Sequence, residues 1–140
     1  MQFRAGKIVD GVERSDALCG NKTAIVSALW GLAPSHSEAG WDGEDALAVV
    51  DRAVERAVEF IRALPNGCDM PEIGADPDGS IALEWISSRR RMRSVGVVGN
   101  SDRLAYAWID GTDRGHATAR FAAGMVPGRL LHAIRAITAA

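Results

Sequence analysis

Residues 77–121 constrain the fold of this chain more than any other segment does. They contain short runs in which apolar and polar side chains alternate, separated by turn-forming pairs such as Asp78-Gly79 and Asp110-Gly111. Alternation with a period of two is typical of β-strands that bury one face. Strands joined by short turns pair as antiparallel neighbours. The segment therefore predicts an antiparallel meander of three or four strands.

The alternation also assigns one face of the meander to the core. Leu83 and Trp85 are expected to point inward, because the charged Glu84 lies between them. The opposite face is then more apolar than a solvated sheet surface should be, which indicates that a partner covers it. We expect the cover to be another protein or a second copy of the chain, with the first helix or the N-terminal arm as the alternative. The residues assigned to this outward face are Ala82, Ile86, Val95, Val97, Ala105, Ala107 and Ile109.

Helical periodicity flanks the meander on both sides. The strongest helical signal covers residues 44–64. Ahead of it, Ser15 or Asp16 is the candidate cap of a first helix that runs to about residue 32. After the meander, Pro127 fits the first position of a closing helix. The apolar stripes comprise Leu18, Ile25, Val26, Leu29 and Trp30 in the first helix, and Leu47, Val50, Val54, Ala57, Val58, Ile61 and Leu64 in the second.

The order helix, helix, meander, helix predicts an α+β fold in which helices cover one face of an antiparallel sheet. The length of 140 residues suits a single domain over residues 1–140. In the core we expect Val54, Ile61, Leu83, Trp85, Leu131 and Ile134 to be buried together.

The composition excludes few functions. Apolar residues make up 47% and charged residues 24%, and the net charge of −2 gives no bulk electrostatic reason to bind nucleic acid or anionic membranes. No apolar run approaches the ~18 residues that span a bilayer, and the first residues lack the apolar core of a signal peptide. We therefore expect a cytoplasmic protein. Its composition, which is rich in Ala, Arg and Gly, suggests a bacterial source. Cys19 and Cys68 are expected to be reduced thiols, with a disulfide between them as the alternative.

Three groups of polar residues are candidates for chemistry, and each also has a structural interpretation. Residues 41–45, Trp-Asp-Gly-Glu-Asp, carry carboxylates that suit a hard cation, yet they also suit a capped helix start. Glu84 is either a desolvated acid–base group or a strand residue that pairs with an arginine across the sheet. His116 lies near Asp110 and Asp113, which suggests a small polar site at a turn. We favour the structural interpretations, so no catalytic residue, metal ligand or cofactor is predicted.

The one local excess of charge is an arginine run at the link between the first two long strands. As a binding feature it would contact phosphates or an acidic partner. As a structural feature it would be a solvated link that discourages edge-to-edge pairing of sheets. The run comprises Arg89, Arg90, Arg91 and Arg93.

Two segments resemble a family of small bacterial proteins that has no established activity. Residues 40–43 are Gly-Trp-Asp-Gly, and residues 77–85 are Pro-Asp-Gly-Ser-Ile-Ala-Leu-Glu-Trp. The family is similar in its Trp-Asp-Gly segment and in a Pro-Asp-Gly-x-Ile-x-Leu-Glu-Trp strand, and the resemblance covers about residues 38–138. This chain departs from the family pattern at Glu44 and Asp45, where Tyr-Gly is expected. The resemblance supports the α+β fold and implies no catalytic role.

Taken together, these observations favour a small non-enzymatic binding protein that acts by protein–protein contact, such as an inhibitor, an antitoxin-like or an immunity-like protein. The alternative is a nucleic-acid-associated regulator that uses the arginine run. The candidate partner-binding residues are Arg89, Arg90, Arg91, Arg93, Ile86, Val95, Val97 and Ile109.

Overall fold

A computed structural model describes residues 18–44, 46–122 and 124–138 of the chain. Within these ranges, three helices and five strands follow one another in the predicted order, which confirms an α+β fold with an antiparallel sheet. Their bounds are α1 Leu18–Ser35, α2 Asp51–Ala63, β1 Glu72–Ala75, β2 Ile81–Ser88, β3 Arg91–Val97, β4 Arg103–Asp110, β5 Asp113–Arg120 and α3 Gly128–Thr138.

The sheet is a meander in which every strand pairs antiparallel with the next one, in the order β1-β2-β3-β4-β5. It has five strands, where three or four were expected. The additional strand is β1, whose Ile73 lies opposite Leu83 of β2. Four residues with one buried apolar side chain give a weak alternation signal, so this edge strand is apparent only from its pairing.

The core lies between the helices and one face of the sheet, which we call the inner face. Buried residues of α1, α2 and α3 form one cluster with inner-face residues of β1 to β4. Trp85 is central to it: its indole Nε1 donates a hydrogen bond to the Asp69 carbonyl at 2.8 Å, and its ring meets Phe60 edge-on. The predicted core is confirmed for five of its six residues, while Leu131 is only half-buried.

The second helix is shorter than its periodicity suggested. It begins at Asp51, and residues 46–50 are not helical. The backbone there is bonded elsewhere, since Leu47 N donates to the Pro77 carbonyl and Val49 N to the His36 carbonyl. Leu47 and Val50, expected on the apolar stripe, are therefore exposed, while Val49 is buried.

Charged residues on α2 divide between solvent and core. The three-residue spacing of Arg52 and Glu55 predicts an ion pair, which forms at 3.1 Å on the exposed side of the helix. The three-residue spacing of Arg56 and Glu59 predicts an ion pair on the outer side of the helix, but Arg56 is buried and donates to the Phe121 carbonyl at 3.1 Å. Its guanidinium carbon lies 5.6 Å from the centre of the Phe121 ring, so Arg56 ties α2 to the end of β5.

The first and last helices agree in part with their predicted stripes. In α1, Ile25 and Leu29 are buried as expected, but Trp30 remains 43% exposed. The candidate caps Ser15 and Asp16 lie outside the described residues. The closing helix begins directly after Pro127, whose carbonyl accepts a bond from Leu131 N at 2.9 Å.

The largest correction concerns the faces of β3. Val95 and Val97 were assigned to the outward face, but their exposures are 1% and 0%. The register explains this, because Val95 lies between Leu83 and Tyr106. The valines share their face with Arg93, and a charged residue on the core face made the polarity of this strand ambiguous from sequence.

Candidate functional site: the outer face of the sheet

The sheet face opposite the helices, which we call the outer face, is organised in rows of directly opposed residues. One row contains small side chains, and a second contains large apolar ones; both follow from the strand registers. The small row is Gly74, Ala82, Gly96, Ala105 and Thr118, and the large row is Ile86, Met92 and Ile109, beyond which lies the charged Arg114 of β5.

A row of mixed charge separates these two rows. It begins with two carboxylates, Glu72 on β1 and Glu84 on β2, which lie directly opposite each other. It continues through Ser94 and Ala107 and ends at His116 on β5. We call Glu72 and Glu84 the acidic margin of the outer face.

The other side of the outer face carries three arginines and a histidine. Arg103 on β4 lies opposite Arg120 on β5, and Arg114 and His116 follow at alternate positions of β5. We call these four residues the basic margin. Arg120 forms an ion pair with Asp102 at 2.9 Å, whereas no ion pair to Arg103 or Arg114 is found among the described residues. The outer face is thus acidic at β1–β2, apolar in the middle and basic at β4–β5.

None of the outer-face side chains on β2 to β5 is buried by the described part of the chain. Ile86 is 50% exposed, and Met92, Ala107 and Ile109 are half-buried by their neighbours alone. The face therefore presents apolar surface of the kind that commonly marks a contact with another macromolecule. The predicted outward positions of Ile86 and Ile109 are confirmed, while Val95 and Val97 belong to the core.

The arginine run is divided by the structure into two parts. Arg89 and Arg90 form the exposed turn between β2 and β3. Arg91 and Arg93 instead lie within β3 and approach opposite oxygens of Asp110, at 3.6 and 3.7 Å.

The inner two arginines have structural contacts. Arg91 donates to the Ala136 carbonyl in the last turn of α3 at 3.2 Å, a favourable site for a cation. Arg93 is only 8% exposed and donates to the carbonyls of Met92 and Ile109. Only Arg89 and Arg90 are therefore wholly available to a partner.

The carboxylates near Trp41 fix a loop. One oxygen of Asp42 accepts bonds from Glu44 N at 2.9 Å and Ala46 N at 3.2 Å, and the Trp41 indole donates to the Leu47 carbonyl. No helix begins here, so the expected capped start is wrong, and Asp45 lies outside the described residues. Within the described ranges, no three His, Cys, Asp or Glu side chains are grouped to hold a metal ion.

The remaining candidates are not brought together. His116 lies on the outer face, whereas Asp110 turns toward Arg93 on the inner face. The residues directly opposite Glu84 are Glu72 and Ser94, and neither is the arginine that was expected. Cys68 is a free, half-buried thiol, and the side chain of Cys19 lies outside the described part.

Comparison with known protein families, curated proteins and solved structures found no match to this chain. The resemblance drawn from the Trp-Asp-Gly and Pro-Asp-Gly segments therefore stays a prediction. Among the described helices, none is both long and apolar enough to cross a membrane.

Sequence reasoning missed the two charged margins. The glutamates are twelve residues apart, and Arg103 and Arg120 come together only through the β4–β5 register. The one available signal was β5 itself, where Arg114, His116, Thr118 and Arg120 alternate with Gly115, Ala117 and Ala119.

Proposed function

We propose that this protein is a small non-enzymatic binding protein that acts through protein–protein contact made by the outer face of its sheet. One observation carries the proposal: an apolar centre flanked by charged margins lies on a face where no side chain of β2 to β5 is buried. An apolar core with a polar rim is the usual organisation of a protein interface. Inhibitor, antitoxin-like and immunity-like roles all act through such contacts.

Two of the polar groups that suggested chemistry have structural contacts, which supports the non-enzymatic form of the proposal. Asp42 organises a loop, and Asp110 pairs with two arginines. The three histidines lie apart, His36 after α1, His116 on β5 and His132 on α3.

The test is affinity capture from cells that express the protein, comparing the wild type with Ile86→Lys/Ile109→Lys. Lysines at the centre of the outer face would place uncompensated charge in the interface, so a partner bound there should be lost. The control is Leu47→Lys, because Leu47 is another large exposed apolar residue, at 58%, and lies outside the sheet.

The captured protein must then bind the purified wild type, and must fail to bind the double variant by calorimetry. A partner that binds the wild type and Ile86→Lys/Ile109→Lys equally would show that the outer face is not the binding site.

The alternative function is a nucleic-acid-associated regulator. The exposure of Arg89 and Arg90 favours it, since both guanidinium groups lie on an open turn. Arg91 and Arg93 support it less, because both engage Asp110.

A further inference from the structure

The outer face matches itself when it is turned by half a revolution about an axis parallel to the strands. Because the sheet order is β1-β2-β3-β4-β5, such a turn about an axis above β3 exchanges β2 with β4 and β1 with β5. Residues of one row stay in that row. In a facing copy, Ile86 then meets Ile109, while Met92 lies over Met92.

The small row behaves in the same way. Ala82 of one copy meets Ala105 of the other, and Gly96 lies over Gly96 near the axis. The sheets can approach closely at the centre of this row, because Ala82, Gly96 and Ala105 carry no side chain larger than a methyl group. The large row fills the wider gap on the other side of the charged row.

The same half-turn also matches the charges. Glu72 of one copy lies over His116 of the other with Arg114 beside it, whereas Glu84 lies over Ala107, and Arg103 and Arg120 lie two rows away. This happens twice, once at each side of the axis. A half-turn about an axis perpendicular to the strands would instead place the acidic margin over itself, where like charges repel.

We propose that the outer face binds a second copy of this chain, forming a symmetric dimer whose axis runs parallel to the strands. This inference rests on the proposed function, since it names the partner of the same face. The strands of two packed sheets in proteins run within about 30° of each other. The dimer satisfies this geometry if the strands of each copy tilt by half that angle from the axis. The interface is isologous, with the same patch used by both copies.

The size of the face explains why the margins must take part. Strands about 4.8 Å apart that rise about 3.3 Å per residue give the four long strands a projected area of roughly 500 Å². A stable interface buries about 800 Å² of accessible surface per partner. The apolar centre is only part of this area, so the dimer needs the whole face with both margins.

The first test is the molar mass of the wild-type chain by light scattering and sedimentation between about 1 and 100 µM, the range of weak to moderate dimers. We expect twice the monomer mass of 14.9 kDa at the upper end. A monomer throughout this range overturns the dimer.

The second test reverses the margins separately. Glu72→Lys/Glu84→Lys makes the acidic margin basic, and Arg114→Glu/His116→Glu makes acidic the part of the basic margin that lies nearest Glu72 of the other copy. Each variant alone should dimerise at least about tenfold more weakly, since like charges then face each other. An equimolar mixture of the two should regain the dimer. The control, Glu38→Lys/Glu59→Lys, changes exposed carboxylates outside the sheet and should leave the wild-type mass unchanged.

The third test fixes the axis without changing charge, in a background that replaces Cys19 and Cys68 by serine. A mixture of Ala82→Cys and Ala105→Cys chains should cross-link with a short bismaleimide, because these positions face each other. Each variant alone should cross-link far less. Equal cross-linking of Ala82→Cys with itself would overturn the axis.

The outcomes separate this inference from the proposed function. If the wild type is monomeric but Ile86→Lys/Ile109→Lys loses a captured protein, the dimer is wrong and the binding face stands. If the dimer forms and the margin variants do not weaken it, the dimer uses another surface and the inference is overturned.

Discussion

At the scale of single residues, Trp85 shows how burial and hydrogen bonding combine. The residue is only 3% exposed, and its indole N–H donates to the Asp69 carbonyl. We expect Trp85→Ala to reduce the free energy of unfolding by about 3–5 kcal/mol. Trp85→Phe keeps an aromatic ring but leaves that carbonyl without its donor, so it should cost about 1–3 kcal/mol.

Urea denaturation of both variants measures these differences. The control is Trp30→Ala, because Trp30 is 43% exposed and its removal opens a much smaller cavity. If Trp85→Ala costs no more than Trp30→Ala, Trp85 does not lie in the core and the assignment of the inner face fails.

A second residue-scale prediction concerns Gly115 on β5. A methyl group built on Gly115 would lie 2.5 Å from Cζ2 of Trp108, so the indole occupies the space that a side chain would take. Gly115→Ala should move the ring toward solvent and cost about 1–3 kcal/mol through overpacking. A red shift of tryptophan emission, absent in a Gly115→Ala/Trp108→Phe double variant, identifies Trp108 as the displaced ring. An unchanged spectrum would contradict this contact.

At the scale of elements, periodicity predicted the type of each element better than its ends or its faces. The meander was predictable because β2 and β4 alternate cleanly, with Leu83 and Leu104 on the core face. β3 was misassigned because Arg93 shares a face with two valines. Only the pairing with Asp110 and with two backbone carbonyls makes burial of that arginine tolerable.

The start of α2 was misjudged for a related reason. Residues 46–50 fit a helical stripe by their spacing, but tertiary hydrogen bonds hold them in another conformation, such as that from Leu47 N to the Pro77 carbonyl. The bond from Leu47 N joins segments thirty residues apart in sequence, and periodicity cannot report on such a partner. The charged margins could not be predicted for the same reason, because their residues come together only when the strands pair.

One close approach between elements gives a test of how the sheet is joined to α2. Gly99 lies in the loop between β3 and β4, and a methyl group there would be 2.9 Å from Ala53 N and from Val50 Cγ2. Because Ala53 N is a backbone atom of the first helical turn, it cannot move alone. Gly99→Ala should therefore destabilise the fold by about 1–3 kcal/mol.

The matched control is Gly31→Ala, on the exposed side of α1 with nothing within 4 Å of the added methyl group. This change should stabilise by about 0.5–1 kcal/mol, because alanine restricts the unfolded chain and favours the helix. Thermal denaturation should move the two midpoints in opposite directions. A stabilising Gly99→Ala would show that the loop is not packed against α2.

At the scale of the whole molecule, the distribution of charge matters more than its sum. The net charge of −2 is small, yet the outer face is acidic on one side and basic on the other. A surface divided in this way steers the orientation of a protein partner more than it attracts a uniformly charged polymer. This is the physical reason to rank protein contact above nucleic-acid binding.

The preference for protein contact over nucleic-acid binding can be tested directly. The test is the salt dependence of binding to single-stranded and double-stranded oligonucleotides. Each phosphate that an arginine neutralises contributes about −0.7 to −0.9 to the slope of log affinity against log salt. With only Arg89 and Arg90 wholly exposed in the arginine run, we expect weak binding, with a Kd above ~1 µM at ~150 mM salt.

The variant Arg89→Ala/Arg90→Ala should make the slope less steep by no more than the contribution of about two phosphate contacts. Arg62→Ala/Arg129→Ala, which removes equal charge from two exposed helical positions, is the control. Submicromolar affinity at that salt, lost in the first variant and kept in the second, would place nucleic-acid binding ahead of protein contact.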